Sequence, residues 1–132
     1  MRVLICGGGV IGASIAFFLS CRGVAATVVE GTGVACGASG KSGGFLARDW
    51  CDGSALAPLA KRSFALHHEL TAKLQGDWGY RRLDTYGGTA GFRRLGAAPA
   101  LAWLADDVTI SGALGSPETT AQVDPGRFTA AM

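Results

Sequence analysis

The sequence predicts an α/β fold. A strand–glycine turn–helix–strand unit opens the chain, and the first strands of a separate α+β sheet come later. Three observations carry this. The apolar run Val3-Leu4-Ile5-Cys6 leads directly into glycines at positions 7, 9 and 12. Behind them Ile11, Ile15, Phe18 and Leu19 recur at helical spacing. A short β-branched stretch then ends on an acid, Glu30.

Arg2 to Cys6, apolar at successive positions, predicts a parallel strand buried on both faces, with Cys6 a small hydrophobe inside it. Val10 to Arg22 predicts the helix, with Ile11, Ile15, Phe18 and Leu19 as its core face and Gly23 stopping it. Thr27 to Glu30 is the second strand, placed parallel beside the first by a right-handed crossover.

Residues 31–53 read as a long loop of small residues, and a connection of that length inside a compact domain is usually functional. Ser54 to Leu74 predicts a second helix with Ser54 as N-cap, Pro58 near its first turn, and Leu59, Phe64, Leu66, Leu70 and Leu74 as its apolar positions; Gly76 ends it. Tyr80 to Tyr86 reads as a strand of a different sheet. Gly87-Gly88 reads as a turn, and Thr89 to Arg93 as the paired strand of a hairpin. Residues 96–118 are rich in Ala, Gly and Pro, with Trp103-Leu104 the large apolar anchor. Thr119 to Val123 is a further short strand, and Asp124 caps a helix that begins at Pro125. The expected division is 1–77 as a nucleotide-binding portion, 78–118 as the start of a second sheet, and 119–132 as a strand and a cut helix.

The chain has 132 residues, is 48% hydrophobic and 17% charged, which is a globular composition. Its net charge of +2 gives no reason to expect nucleic acid or a membrane surface. No apolar run is long enough for a membrane span, and no signal peptide is visible, so a cytoplasmic location is expected. Cys6, Cys21, Cys36 and Cys51 fit no metal-binding spacing and are expected as reduced thiols.

Gly7, Gly9 and Gly12 form G-x-G-x-x-G in the context that gives it meaning, strand before and helix after. Gly7 allows the sharp turn, Gly9 a close approach of pyrophosphate to the main chain, and Gly12 tight packing of helix on strand. N–H groups at the helix start and the helix dipole favour the phosphates. Glu30, about 20 residues on, can accept hydrogen bonds from a ribose diol and disfavours a 2′-phosphate. The motif alone leaves FAD and NAD open.

Together with Gly37-Ala38-Ser39-Gly40-Lys41-Ser42-Gly43-Gly44-Phe45, this N-terminal pattern resembles the D-amino-acid oxidase superfamily of FAD-dependent oxidoreductases. Gly44 to Trp50, Ser63 to His67, Tyr80 to Asp84 and Thr120 to Pro125 are similar to a branch of fungal and plant oxidoreductases within it. The resemblance implies FAD as cofactor, with its pyrophosphate and adenosine ribose held by Gly7, Gly9, Val10, Ile11, Gly12, Glu30 and Gly31. It implies that Ala38, Ser39, Gly40, Lys41, Ser42, Gly43, Gly44 and Phe45 run along the pyrophosphate and flavin ring. Ser39 and Ser42 offer hydroxyls there, the glycines an N–H nest, and Lys41 a phosphate partner or a solvated charge.

The resemblance further implies oxidation of a C–N bond of a small amine or amino acid. It also implies a protein two or three domains long, of which this chain is the N-terminal third and inactive by itself; two parallel strands have little area to bury, so marginal stability is expected. A non-catalytic nucleotide-binding module and an NAD-dependent dehydrogenase are the alternatives. No catalytic residue stands out. His67 and His68 read as core or surface histidines rather than a base, and Arg48, Asp49 and Asp52 as surface charge rather than a substrate pocket.

Overall fold

The computed structural model describes residues 2–91, 101–105 and 107–132. Strand β1 (Val3–Cys6), helix α1 (Val10–Ser20) and strand β2 (Ala26–Val29) form the opening unit. The two strands are parallel and in register from Val3↔Ala26 to Cys6↔Val29. Gly7 N–H extends the ladder by donating to Val29 O at 2.7 Å. Gly23 sits at φ +71° after α1, the left-handed stop that its lack of a Cβ allows.

The loop after β2 is more ordered than its composition suggests. Ala38–Lys41 form a 3-10 turn, and Phe45–Ala47 form strand β3. Helix α2 is Ala57–Leu70, shorter at both ends than expected. Leu56 is its N-cap; Ser54 instead holds the preceding turn, accepting from Leu56 N–H at 3.2 Å and donating to Cys51 O at 2.7 Å. Strands β4 (Arg81–Arg82), β5 (Thr85–Ala90), β6 (Val108–Gly115) and β7 (Thr120–Gln122) and helix α3 (Pro125–Ala131) complete the order. Asp124 caps α3 as its position predicts, its carboxylate accepting from Arg127 N–H at 2.9 Å.

Beside the β1–β2 pair lie two further sheets. One is antiparallel and three-stranded in the order β3–β7–β4. The other pairs β5 with β6. This corrects the expected hairpin turn at Gly87-Gly88. Both glycines lie inside β5, with register shifts between Thr85/Tyr86 and Gly87/Gly88. Close cross-strand approach is the reason: a Cβ on Gly88 would lie 2.9 Å from Thr109 O, and one on Gly87 3.1 Å from Ser111 Oγ. The partner of β5 is Val108–Gly115, within the stretch read as irregular. Of the expected return strand Thr89–Arg93, Phe92 and Arg93 lie outside the described residues, as do 96–100.

The core lies between α2 and α3, where Leu70, Leu74, Trp78, Val123 and Phe128 pack together. Phe17 and Phe18 of α1, Leu46 of β3, and Tyr80 close against it. Arg82 places its guanidinium 4.8 Å over the Phe64 ring, tying β4 to α2. Trp50 Nε1–H donates to Leu114 O at 2.9 Å, joining the β5–β6 pair to the segment after β3. The expected core faces of α1 and β1 are corrected in part. Ile11 is 75% and Ile15 46% exposed, Leu4 is exposed, and Cys6 is exposed rather than buried. Among the described residues β1 pairs with β2 alone, so its other edge and the face of α1 above it carry no cover. Leu59, expected in the core of α2, is also exposed, whereas Phe64 and Leu70 are buried as expected.

Candidate dinucleotide site at the start of helix α1

The site begins with the turn from β1 into α1. Gly7 adopts φ +108°, a conformation that residues with a Cβ rarely take. Gly12 is the tightest point: a Cβ there would stand 2.1 Å from Gly7 O and 3.2 Å from Ile5 Cγ2. Its absence lets α1 sit directly on the turn. The first intrahelical bond runs from Ala13 N–H to Gly9 O at 3.0 Å. Ile11 and Gly12 therefore present N–H groups with no helical partner, aimed along the helix axis with its positive dipole end.

Val10 N–H does have a partner. It donates to Ser39 Oγ at 2.9 Å, across 29 residues of chain. The 3-10 turn thereby lies over the start of α1. Gly40 makes this possible, since a Cβ there would stand 2.1 Å from Ala35 O. Gly44, at φ +70°, allows the equally close approach of Val123, whose N–H donates to Gly44 O at 3.0 Å. Gln122 Nε2 donates to Gly43 O at 3.2 Å. The loop is thus pinned at one end to α1 and at the other to β7 and the start of α3.

Glu30 reaches back to the same turn. Its Oε2 accepts from Gly8 N–H at 2.7 Å, and its Oε1 accepts from Thr32 N–H at 3.0 Å. These backbone donors, Gly8 first and then Thr32, hold the carboxyl down from the usual 4.5 to about 2. Glu30 is therefore an anion throughout the neutral range, with a solvent-facing carboxylate. Gly8, the glycine that the spaced motif does not count, is bare for this contact: a Cβ there would stand 3.2 Å from Glu30 Cβ.

Two clefts meet at Val10 and Ser39. The first, of about 360 Å³, is lined by Gly7, Gly9, Val10, Ile11, Gly12 and Ser39. The second, of about 570 Å³ and mainly apolar, is lined from the loop by Ala38, Ser39 and Ser42 to Leu46 and from the other side by His67, Val123, Pro125, Phe128 and Thr129. Most of the expected residues are thus brought together. Gly40 faces a neighbouring polar cleft with Arg81 and Arg127. Lys41 lines none of these clefts and forms no ion pair among the described residues. Asp52 pairs with Lys61 at 2.8 Å, and one carboxylate oxygen of Asp49 is buried without a hydrogen-bond partner among the described residues.

The α3 residues Pro125, Phe128 and Thr129 were not expected at the site, nor was the lining role of His67. The Val123-Asp124-Pro125 stretch marks a helix start, but nothing local tells which loop that helix will face. N–H groups at a helix start, a bare glycine turn and an apolar cleft that shares Val10 and Ser39 with them fit a pyrophosphate joined to a flat ring system.

The chain belongs to the FAD dependent oxidoreductase family, whose model matches residues 2–132. Among curated proteins it is similar to "Putative oxidoreductase C1F5.03c" of Schizosaccharomyces pombe, 33% identical over 139 aligned positions covering 96% of this chain and 36% of that protein. It is also similar to "Putative oxidoreductase TDA3" of Saccharomyces cerevisiae, 39% identical over 92 positions, 64% of this chain and 17% of that protein. The chain therefore spans about a third or less of the length of these relatives. Among the described residues no helix is long and apolar enough to cross a membrane, and no cluster of acid, His or Cys side chains could hold a metal ion.

Proposed function

We propose that this chain is the FAD-gripping part of an oxidoreductase that removes a hydride from the C–N bond of a small amine or amino acid. The observation that carries the FAD placement is the pair of N–H groups on Ile11 and Gly12, which have no helical partner among the described residues and line a groove with Ser39. In this reading Gly7, Gly9, Val10, Ile11 and Gly12 hold the pyrophosphate, and Glu30 with Gly31 receives the adenosine ribose. Ala38 to Phe45 run along the flavin, and Ser39 and Ser42 supply hydroxyls. FAD supplies the redox chemistry, accepting the hydride; the protein binds, orients and shields. An amine that arrives neutral needs no strong base from the chain. The substrate is a small molecule; a net charge of +2 gives no footprint for nucleic acid. Cytoplasmic location belongs to the same proposal.

The test is visible absorption of the purified protein. A flavin spectrum supports the reading; a colourless protein that binds NADH and not FAD sinks it in favour of a nicotinamide dehydrogenase. An amine panel with peroxide detection, run on the full-length protein, separates an oxidase from a nucleotide-binding module without turnover.

A further inference from the structure

We propose that His67 is a ligand-contacting residue whose Nε2 accepts a hydrogen bond from the flavin half of bound FAD, its ring N–H or a ribityl hydroxyl; this rests on the FAD reading above. His67 lies in the last turn of α2 and lines the apolar cleft opposite Ser39, Ser42 and Phe45. Two contacts fix its ring. Nδ1 lies 2.8 Å from Ser63 O, one turn earlier on the same helix. A carbonyl can only accept, so Nδ1 carries the proton and, in the neutral ring, Nε2 is a lone-pair acceptor. The ring also packs on Phe128, with centroids 5.0 Å apart and planes 33° apart.

Among the described residues Nε2 has no hydrogen-bond partner. Anchored by its other nitrogen to its own helix, the ring keeps Nε2 off the helix backbone, and the residue lines the cleft. Nε2 is therefore an acceptor available to a donor of whatever fills the cleft. With phosphates at the start of α1, the rest of the same molecule would lie past Val10 and Ser39, the residues that line both clefts. On the flavin half of FAD the donors are the one ring N–H of the oxidised isoalloxazine and the ribityl hydroxyls, and either kind can satisfy Nε2. His68, next in sequence, differs: it is exposed and packs beside Tyr80 with centroids 6.0 Å apart.

The experiment titrates FAD into the 132-residue chain, following flavin fluorescence for affinity and the histidine ring nitrogens by long-range proton–nitrogen NMR. In the free chain His67 is expected with Nδ1 protonated and Nε2 bare, and FAD moves the His67 Nε2 resonance while leaving His68 in place. His67→Phe keeps a ring against Phe128 and loses the acceptor; it is expected to weaken FAD binding about fivefold. His67→Gln restores an acceptor and part of the affinity, and His68→Phe changes nothing. FAD binding with an unmoved Nε2 and an unaffected His67→Phe affinity overturns the role of His67 alone. An Nε2-protonated tautomer in the free chain also overturns it. Failure of the wild-type chain to bind FAD overturns the cofactor placement itself, and the contact with it.

Discussion

Replacing Gly12 by alanine tests the grip at its tightest point. The added Cβ would stand 2.1 Å from Gly7 O. Carbon and carbonyl oxygen ordinarily keep about 3.3 Å apart, so α1 and the turn must separate by about 1 Å. Neither atom is on a flexible side chain, which puts the overpacking cost at its upper end, about 3 kcal/mol. Alanine's better helix propensity returns about 1 kcal/mol. The net is about 2 kcal/mol. For 132 residues the unfolding entropy is about 0.28 kcal/mol per degree, so the melting temperature falls by about 7 °C. The same displacement draws the Ile11 and Gly12 donors away from a bound phosphate. Losing one charge-assisted hydrogen bond weakens FAD binding by about tenfold or more. Thermal unfolding by circular dichroism and FAD titration read the two effects. Gly112→Ala is the control, because a Cβ there meets nothing within 4 Å. If Gly12→Ala melts with the wild type and binds FAD equally well, close helix–turn packing is not what shapes the site.

Three further outcomes follow from the structure. Glu30 has its carboxyl held below its usual value, so its contribution to stability is fully present above about pH 4.5 and is lost as pH falls toward about 2. The gap in urea midpoint between wild type and Glu30→Gln should narrow across that window, and a gap that stays constant would remove the Gly8 and Thr32 bonds as its source. Glu30→Ala should also weaken FAD binding at neutral pH; unchanged affinity takes Glu30 out of the site. Thr120 is fully buried, donates to Leu83 O at 2.7 Å and accepts from Thr85 Oγ1 at 3.1 Å. Thr120→Val leaves both partners short of a bond and should cost about 2 kcal/mol in urea unfolding, more than Thr120→Ser, which keeps the hydroxyl. A valine variant as stable as wild type would show that this network contributes nothing.

Local chemistry made the opening unit legible. Glycines at 7, 9 and 12, an apolar run before them and Glu30 after them lie within 30 consecutive residues, and each acts through backbone geometry that its own residue type decides. The Asp124-Pro125 helix start is legible for the same reason. Gly87-Gly88 was not: a glycine pair marks permissive backbone, and a turn and a close strand crossing both use it. Only the pairing with β6 across more than 20 residues distinguishes them. The exposure of Ile11 and Ile15 is likewise invisible in a periodic pattern, which says which residues share a face and not what lies against it.

By itself, then, the sequence determined the glycine turn, the helix start and the acid that reaches back to it, and the resemblance carried by the second glycine–serine loop pointed to FAD. Tertiary structure decided how that loop is used. It laid Ser39 on Val10 N–H, put β7 between β3 and β4, and brought α3 and His67 to the far wall of the cleft. The physical reason is range. Turn and cap preferences act over three or four residues, whereas the cleft is closed by contacts between distant segments, such as Gln122 with Gly43, 79 residues apart.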